Sequence, residues 1–116
     1  MVKHLIGLLT FGSEEEARKI SLKILEGKLA ACVNIVPVNS MYWWEGKIAD
    51  DREYLAVVKT TETEVPGIID LVKREHSYQL PEIIFMPVDA GSGEYLDWID
   101  RTVNSKAKIT DNGQNF

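Results

Sequence analysis

One stretch decides the fold of this 116-residue chain: residues 30–60, AACVNIVPVNSMYWWEGKIADDREYLAVVKT. Two β-rich arms flank a turn at Glu45-Gly46-Lys47, which predicts one long β-hairpin. Pro37 lies in the first arm, and proline within a sheet is confined to edges and bulges. The first arm is therefore predicted to be an edge strand, and the proline-free second arm, Tyr54 to Thr60, a central one.

The remaining elements follow on both sides of the hairpin. Lys3 to Phe11 is apolar on both faces, as a buried central strand would be. A capping box of Ser13 and Glu16 begins a helix that is predicted to run to about Leu29. A second helix is predicted from Thr63 to about His76.

Residues 82–88 form a predicted fourth strand, and Pro87 marks it as another edge. Ser92 begins a third helix, whose residues expected to face inward are Tyr95, Trp98, Ile99 and Val103. The order β-α-β-β-α-β, with strands one and three central, predicts the α+β class and the ferredoxin-like fold, with an extra C-terminal helix. We expect one domain over residues 1–104 and a polar, disordered tail over 105–116.

Composition excludes several functional classes. A net charge of −5 argues against a nucleic-acid partner, because phosphate binding needs clustered Lys and Arg. No apolar run approaches the roughly 20 residues that span a bilayer, so no membrane insertion is expected. Cys32 is the single cysteine, which excludes an intrachain disulfide, and we expect a reducing cytoplasm.

The outer end of the first hairpin arm raises a question of assembly. It reads Met41-Tyr42-Trp43-Trp44, and on an edge strand it would expose large apolar side chains beside open hydrogen-bonding groups. Such an edge would aggregate if left bare. We therefore expect another subunit to cover it.

Five sequence blocks, in this order and spacing, make the chain resemble the CutA1 family of divalent-cation-tolerance proteins. The blocks are AACVN (30–34), YWWEGKI (42–48), KTT (59–61), HSYQLPEI (76–83) and YLDW (95–98). The resemblance covers the chain as far as Asn104. It implies a tight homotrimer, similar in architecture to the PII signalling proteins, with a role in tolerance to copper and other divalent metals.

The same resemblance implies a candidate metal ligand, His76, for Cu or Zn. In the family this position is a proposed copper ligand, together with the position after it and a cysteine on the first strand. Here those two positions read Ser77 and Leu9, neither of which is a soft metal ligand. A structural role for His76, as a helix cap or a core hydrogen bond, is the alternative.

Six further residues could meet in a cleft between subunits. Lys59 ends a central strand, and buried lysine is costly unless paired, so Glu82 is its expected partner. The full set of cleft residues is Cys32, Tyr42, Trp44, Lys59, Tyr78 and Glu82. They could hold a ligand, or they could form a polar network that specifies the trimer interface. Cys32, flanked by Ala31 and Val33, also fits a small buried packing residue.

Three hypotheses of function follow. The first is a non-enzymatic, trimeric regulatory or binding protein for divalent metal tolerance. The second is an enzyme or sensor for a small anionic metabolite, with Lys59 on the anion and His76 or Glu82 as acid or base. The third is a purely structural trimeric scaffold.

Overall fold

A computed structural model describes residues 2–111 of the chain, and the side chains of residues 2–105. Its strands are β1 (His4–Phe11), β2 (Cys32–Trp44), β3 (Lys47–Thr61) and β4 (Ile83–Pro87). Its helices are α1 (Glu14–Glu26), α2 (Val65–Glu75) and α3 (Gly93–Asp111), and a short 3-10 turn, Glu62–Glu64, leads into α2. This order confirms the predicted α+β, ferredoxin-like fold with an extra C-terminal helix.

The sheet is antiparallel throughout, with the strand order β2-β3-β1-β4. The two proline-containing strands are its edges, as predicted. The hairpin pairs residue for residue from Cys32 opposite Lys59 to Trp44 opposite Lys47, so no bulge interrupts its alternation. Pro37 is accommodated within β2 because its missing N–H falls on an edge strand.

Helix α1 begins as predicted and ends earlier. The Ser13 hydroxyl accepts a hydrogen bond from the Glu16 amide at 3.1 Å. The helix stops at Glu26, because Gly27 caps it and Lys28 turns into the left-handed region with φ 58°. The Glu16 carboxylate does not complete the capping box; it accepts from the amide and hydroxyl of Ser77, at 2.7 and 3.0 Å. Helix α1 therefore holds the segment that follows α2.

The main core lies between one sheet face and helices α1 and α2. Its fully buried members are Leu9, Phe11, Ala17, Ile20, Ile24, Ala56, Val58, Ile68 and Val72. Residues of the opposite parity in each strand form the second face, called here the open face. Helix α3 covers only part of it, through Ile99 and Val103.

Two expectations about α3 need correction. Tyr95 and Trp98 are partly exposed, and of the predicted inward stripe only Ile99 and Val103 are buried. The helix also continues to Asp111, so residues 105–111 of the predicted tail are helical. A polar segment can extend a helix that is already nucleated, although it shows no apolar stripe. Residues 112–116 lie outside the described part of the chain.

No helix within the described residues combines the length and the apolar character needed to cross a membrane.

Candidate ligand cleft

A cavity of about 820 Å³ lies beside the outer half of the hairpin. Four segments form its wall: the outer half of β2, the part of β3 that pairs with it, the end of β1, and the chain that follows α2. The lining residues are Thr10, Asn39, Ser40, Met41, Tyr42, Trp43, Trp44, Asp51, Glu53, Ser77, Tyr78, Gln79, Leu80 and Glu82. We call this cavity the hairpin cleft.

The hairpin cleft contains four of the six predicted cleft residues. Tyr42, Trp44, Tyr78 and Glu82 all line it. Within one chain the other two, Cys32 and Lys59, lie at the opposite end of the hairpin. The predicted set is therefore divided between two places on the open face.

A buried carboxylate outside the predicted set of cleft residues lies at the base of the cleft. Glu53 is only 5% exposed, and its Oε2 accepts a hydrogen bond from the Tyr78 hydroxyl at 2.7 Å. Burial, and then this bond to Glu53, raise the pKa of Tyr78. Tyr78 therefore remains a donor at neutral pH. The alternation of side chains along β3 is enough to place Glu53 on the open face. Its burial, however, depends on the path of the segment after α2, which carries Tyr78.

A second tyrosine–carboxylate pair lies further out along the hairpin. The Tyr42 hydroxyl donates to Asp51 Oδ2 at 2.6 Å. This hydrogen bond is the main cause that raises the pKa of Tyr42 to about 12. Tyr42 is therefore protonated at neutral pH, although its side chain is partly exposed.

The electrostatic character of the hairpin cleft is acidic. Glu82 shares the cleft with Asp51 and Glu53; desolvation, and then the charge of Glu53, raise the pKa of Glu82. The described lining includes no Lys, Arg or His side chain. Such a cavity repels anions and favours cations. The cleft therefore does not favour the anionic metabolite of the second hypothesis, in which Lys59 would bind the anion.

His76 lies directly behind the cleft wall, with its side chain fully buried. Its ring stacks on Phe11, with centroids 4.8 Å apart and planes inclined by 9°. Nε2 is 2.7 Å from the Thr10 carbonyl, and Nδ1 accepts from the Tyr78 amide at 3.0 Å. Because a carbonyl only accepts, Nε2 must carry the proton, and the ring is the neutral Nε2–H tautomer.

These contacts leave neither nitrogen of His76 available to a metal ion. The Glu16 carboxylate is 3.9 Å from Nδ1, but Ser77 already occupies both of its oxygens. Across the described side chains, no three His, Cys, Asp or Glu residues are grouped so that they could hold a metal ion. The geometry at His76 therefore fits the structural role and does not fit the copper or zinc site that the family implies.

Lys59 and Cys32 form a separate polar cluster near α3. The Lys59 ammonium donates to the Asn34 side-chain oxygen and lies 3.7 Å from Cys32 Sγ. Lys59 is thus partnered by Asn34 and not by Glu82, because Cys32 and Lys59 face each other across the hairpin. Cys32 is half-buried. Burial, followed by the nearby Cys32 thiol, raises the pKa of Tyr95 on α3.

Comparison with known proteins assigns the chain and its fold to a family. Residues 5–102 match the family model described as CutA1 divalent ion tolerance protein. The divalent-cation tolerance protein CutA of Archaeoglobus fulgidus is 48% identical over 95 residues, which cover 82% of this chain and 93% of that protein. The corresponding protein of Thermus thermophilus is 47% identical over 93 residues, covering 79% of this chain and 90% of that one.

Solved structures agree with the sequence relatives. The structure of the A. fulgidus protein, which is described as periplasmic, superposes with a TM-score of 0.84 at 47% identity and covers 86% of this chain and 98% of that one. CutA1 of Oryza sativa gives a TM-score of 0.84 at 38% identity, covering 87% and 94% of the two chains. The matched region includes both strands of the hairpin, the His76 segment and most of the described α3. The chain belongs to the CutA1 divalent ion tolerance family.

Proposed function

We propose that this chain acts in divalent-cation tolerance as a homotrimeric, PII-like binding protein whose hairpin cleft lies at a boundary between subunits. Family membership supports the tolerance role. The observation that carries the assembly is the exposure of the hairpin, where Met41 is 74% and Trp43 73% exposed in the single subunit. An edge strand that exposes such side chains to water would promote aggregation. A second copy of the chain that covers the strand would prevent it.

The open face supports the same assembly. Val36, Ile84 and Met86 are exposed on it, although α3 covers the neighbouring part of the sheet. Together with the hairpin they extend the apolar surface from one edge strand to the other. A second and a third copy of the chain, meeting at these faces, would remove both the edge and the apolar patch from water.

The hairpin cleft supports a binding role more than a catalytic one. The histidine nearest to it is held in one tautomer by Thr10 and Tyr78, and the lysine expected to bind an anionic substrate is held by Asn34. His76 cannot act as the acid or base of the enzymatic hypothesis without first losing these partners. We therefore propose that the cleft binds a ligand and that the tolerance function depends on this binding. We assign no resident copper or zinc ion to His76.

We also propose that the protein is located in the cytoplasm. What supports this is the single cysteine, Cys32, which is free in the subunit. Fractionation of cells that express the full natural gene would place the protein, and recovery in a periplasmic fraction would overturn this part.

The assembly is tested by light scattering at micromolar concentration. We expect a mass three times that of the 13.1-kDa subunit. Trp43→Asp should shift the mass towards that of the subunit, whereas Leu22→Asp, at an exposed apolar position on α1 away from the open face, should not. A monomeric parent protein, or equal behaviour of the two variants, would contradict the assembly.

The tolerance role is tested by growth of a bacterial host that lacks its own member of the family. Expression of this chain should restore growth under copper challenge, and His76→Phe, which keeps the aromatic stacking, should restore it equally well if that variant is present at normal levels. Isothermal titration with Cu(II), Cu(I) and Zn(II) gives the independent readout. A site lost in His76→Phe and retained in the parent would overturn our assignment of His76.

A further inference from the structure

One ring nitrogen of His76 lies between two partners that require opposite hydrogen-bond roles. Nδ1 accepts from the Tyr78 amide at 3.0 Å, and it is also 3.9 Å from Oε2 of the Glu16 carboxylate. An amide N–H only donates and a carboxylate only accepts, so Nδ1 can serve Tyr78 when it carries no proton and Glu16 when it carries one. Histidine is the side chain whose charge ordinarily changes between roughly pH 5 and 8. A proton therefore decides which partner Nδ1 can have.

The contacts of His76 with β1 are compatible with both states of the ring. Nε2 donates to the Thr10 carbonyl, and this nitrogen carries a proton in the neutral tautomer and in the imidazolium alike. The ring stacks on Phe11, and an aromatic face also attracts a cation. Protonation therefore changes the Nδ1 side alone and leaves the ring attached to β1.

Charged groups face His76 on the side of helices α1 and α2. Glu16 of α1 is the nearest carboxylate. A groove of about 310 Å³ lies beside it, and its lining residues are Ser13, Glu15, Glu16, Lys19, Glu75 and Ser77. The Glu75 carboxylate at the end of α2 already accepts from Lys23 at 3.0 Å. Glu16 is therefore the carboxylate placed to receive an imidazolium, and the groove gives its side chain room to move.

The contacts of His76 on the other sides are uncharged. β1 presents the Phe11 ring and the Thr10 carbonyl, neither of which titrates. The Tyr78 ring lies with its centroid 4.8 Å from that of His76, and its raised pKa keeps it protonated. Glu53 of β3 lies beyond the Tyr78 hydroxyl, which it accepts from. The groove beside α1 is therefore the side to which a protonated Nδ1 would turn.

This change of partner would loosen the chain that follows α2. Glu16 holds Ser77 through its amide and hydroxyl, at 2.7 and 3.0 Å, and His76 holds the amide of Tyr78. An imidazolium that turns to Glu16 leaves the Tyr78 amide without its acceptor. It also competes with Ser77 for the carboxylate oxygens. Two attachments of the segment weaken together, and the Tyr78–Glu53 bond remains as the third.

We propose that His76 is a pH switch for the wall of the hairpin cleft: neutral His76 holds the Tyr78 amide, and protonated His76 binds Glu16 and releases residues 77–80. The step adds one proton from water to Nδ1 and exchanges one hydrogen bond for another. Its consequence, that the cleft loses its shape in acid, rests on the proposed binding role of the cleft. By linkage, anything that holds Tyr78 in place opposes protonation of His76.

Nuclear magnetic resonance of the full chain tests the switch directly. Long-range proton–nitrogen spectra should show the Nε2–H tautomer of His76 at about pH 7.5 and the imidazolium at about pH 5.5. Over this interval the hydrogen-exchange protection of the Tyr78 amide, corrected for the intrinsic rate, should fall at least about fivefold, as loss of one hydrogen bond predicts. Amides of the β1–β3 ladder should change less than about twofold, because the ring stays attached to β1.

Two matched variants on α1 identify the second partner. Glu16→Gln removes the charge but keeps an oxygen that can accept from Ser77. It should lower the ratio of charged to neutral His76 at about pH 5.5 at least about threefold. Glu15→Gln removes the same charge from the preceding residue, which lines the same groove, and should change that ratio less than about twofold. Equal effects of the two variants would mean a general response to net charge and would overturn the role of Glu16.

The outcomes separate the switch from the function that it would regulate. A His76 that stays neutral down to about pH 5.5 overturns the switch, and so does an imidazolium that leaves the Tyr78 amide protected. Equal loss of protection in the β1–β3 ladder would mean general acid unfolding and would also overturn it. None of these results contradicts the trimer, which light scattering decides. If Glu16→Gln fails to fold, the His76 and Tyr78 signals of the parent protein still decide. A monomer that shows the exchange of partners would confirm the switch and overturn the assembly.

Discussion

The hydroxyl of Tyr78 and the carboxylate of Glu53, 25 residues apart in sequence, are joined by a 2.7 Å hydrogen bond across the base of the hairpin cleft. This bond ties the segment after α2 to the middle of β3. It satisfies one oxygen of a buried carboxylate and keeps the phenol protonated. Tyr78 therefore shapes the cleft and stabilises the fold through the same contact.

Tyr78→Phe should lower the free energy of unfolding by about 1–3 kcal/mol, because it leaves the buried Glu53 carboxylate without its donor. Denaturant titration at a fixed subunit concentration measures this change. Tyr42→Phe is the matched control: it removes a bond of similar length to the exposed Asp51 and should cost less than about 1 kcal/mol. An equal loss of unfolding free energy in the two variants would show that the burial of Glu53 does not determine the size of this loss.

His76 should prove to be a structural residue when its stacking and its hydrogen bonds are removed separately. His76→Ala loses both, so we expect destabilisation of about 2–4 kcal/mol. His76→Phe keeps a ring on Phe11 and leaves only the Thr10 carbonyl and the Tyr78 amide unpaired, so its cost should be smaller, about 1–3 kcal/mol. Thermal and denaturant unfolding check the order of the two variants. Destabilisation of less than about 0.5 kcal/mol by His76→Ala would contradict the structural role.

The pH dependence of stability should reveal the burial of Glu82 and its repulsion by Glu53. Burial and the charge of Glu53 raise its pKa, so the folded state holds this proton more tightly than the unfolded chain does. The resulting stability is fully present below the unfolded pKa, about 4.3, and is lost as the pH rises through the raised folded pKa. Glu82→Gln should therefore match the parent protein near pH 4 and exceed its free energy of unfolding at pH 7.

The control for Glu82→Gln is Glu45→Gln, which removes one charge at the exposed hairpin turn. If both variants gain the same stability at pH 7, loss of net negative charge is the cause and the local repulsion is not. A Glu82→Gln variant that is less stable than the parent at pH 7 would reverse the predicted sign.

The hairpin turn should depend on the backbone of Gly46 and not on space around it. Glu45 and Gly46 have φ values of 52° and 79°, as a two-residue hairpin turn requires. A Cβ added at Gly46 meets no atom within 4 Å, so the cost of Gly46→Ala, about 1–2 kcal/mol, should be purely conformational. Gly93→Ala, at the start of α3, has equally open space and no positive φ; it should be neutral or stabilising. Chemical denaturation of the two variants measures the cost of the positive φ, because neither added Cβ meets another atom; an equal cost would contradict a conformational origin.

Much of the fold could be predicted because its signals are local. Pro37 and Pro87 marked the two edge strands, since a missing N–H is tolerated only there, and the strand order agreed. The end of α1 was predicted about three residues too late. Gly27 is a helix-ending signal, but the apolar spacing of the helix continues to Leu29. Tyr95 and Trp98 have the spacing of a buried stripe, but the subunit leaves them exposed.

The cleft was less predictable because its contacts join distant segments. Tyr42, Trp44, Tyr78 and Glu82 were expected and do line it. Glu53 was not among the predicted cleft residues, since a glutamate in an alternating strand resembles a solvated residue. The Lys59–Glu82 pair was expected and does not form, because Asn34 lies closer across the hairpin.

The sequence by itself determined the hairpin, the central and edge strands and the family, because side-chain alternation and proline chemistry act over a few residues. Only the tertiary structure decided which end of the hairpin forms the cleft and what charge it carries. The reason is that α1, through Glu16, holds Ser77, and His76 holds the Tyr78 amide, so the chain after α2 runs against β3. That path brings Tyr78 onto Glu53, and no local pattern encodes it.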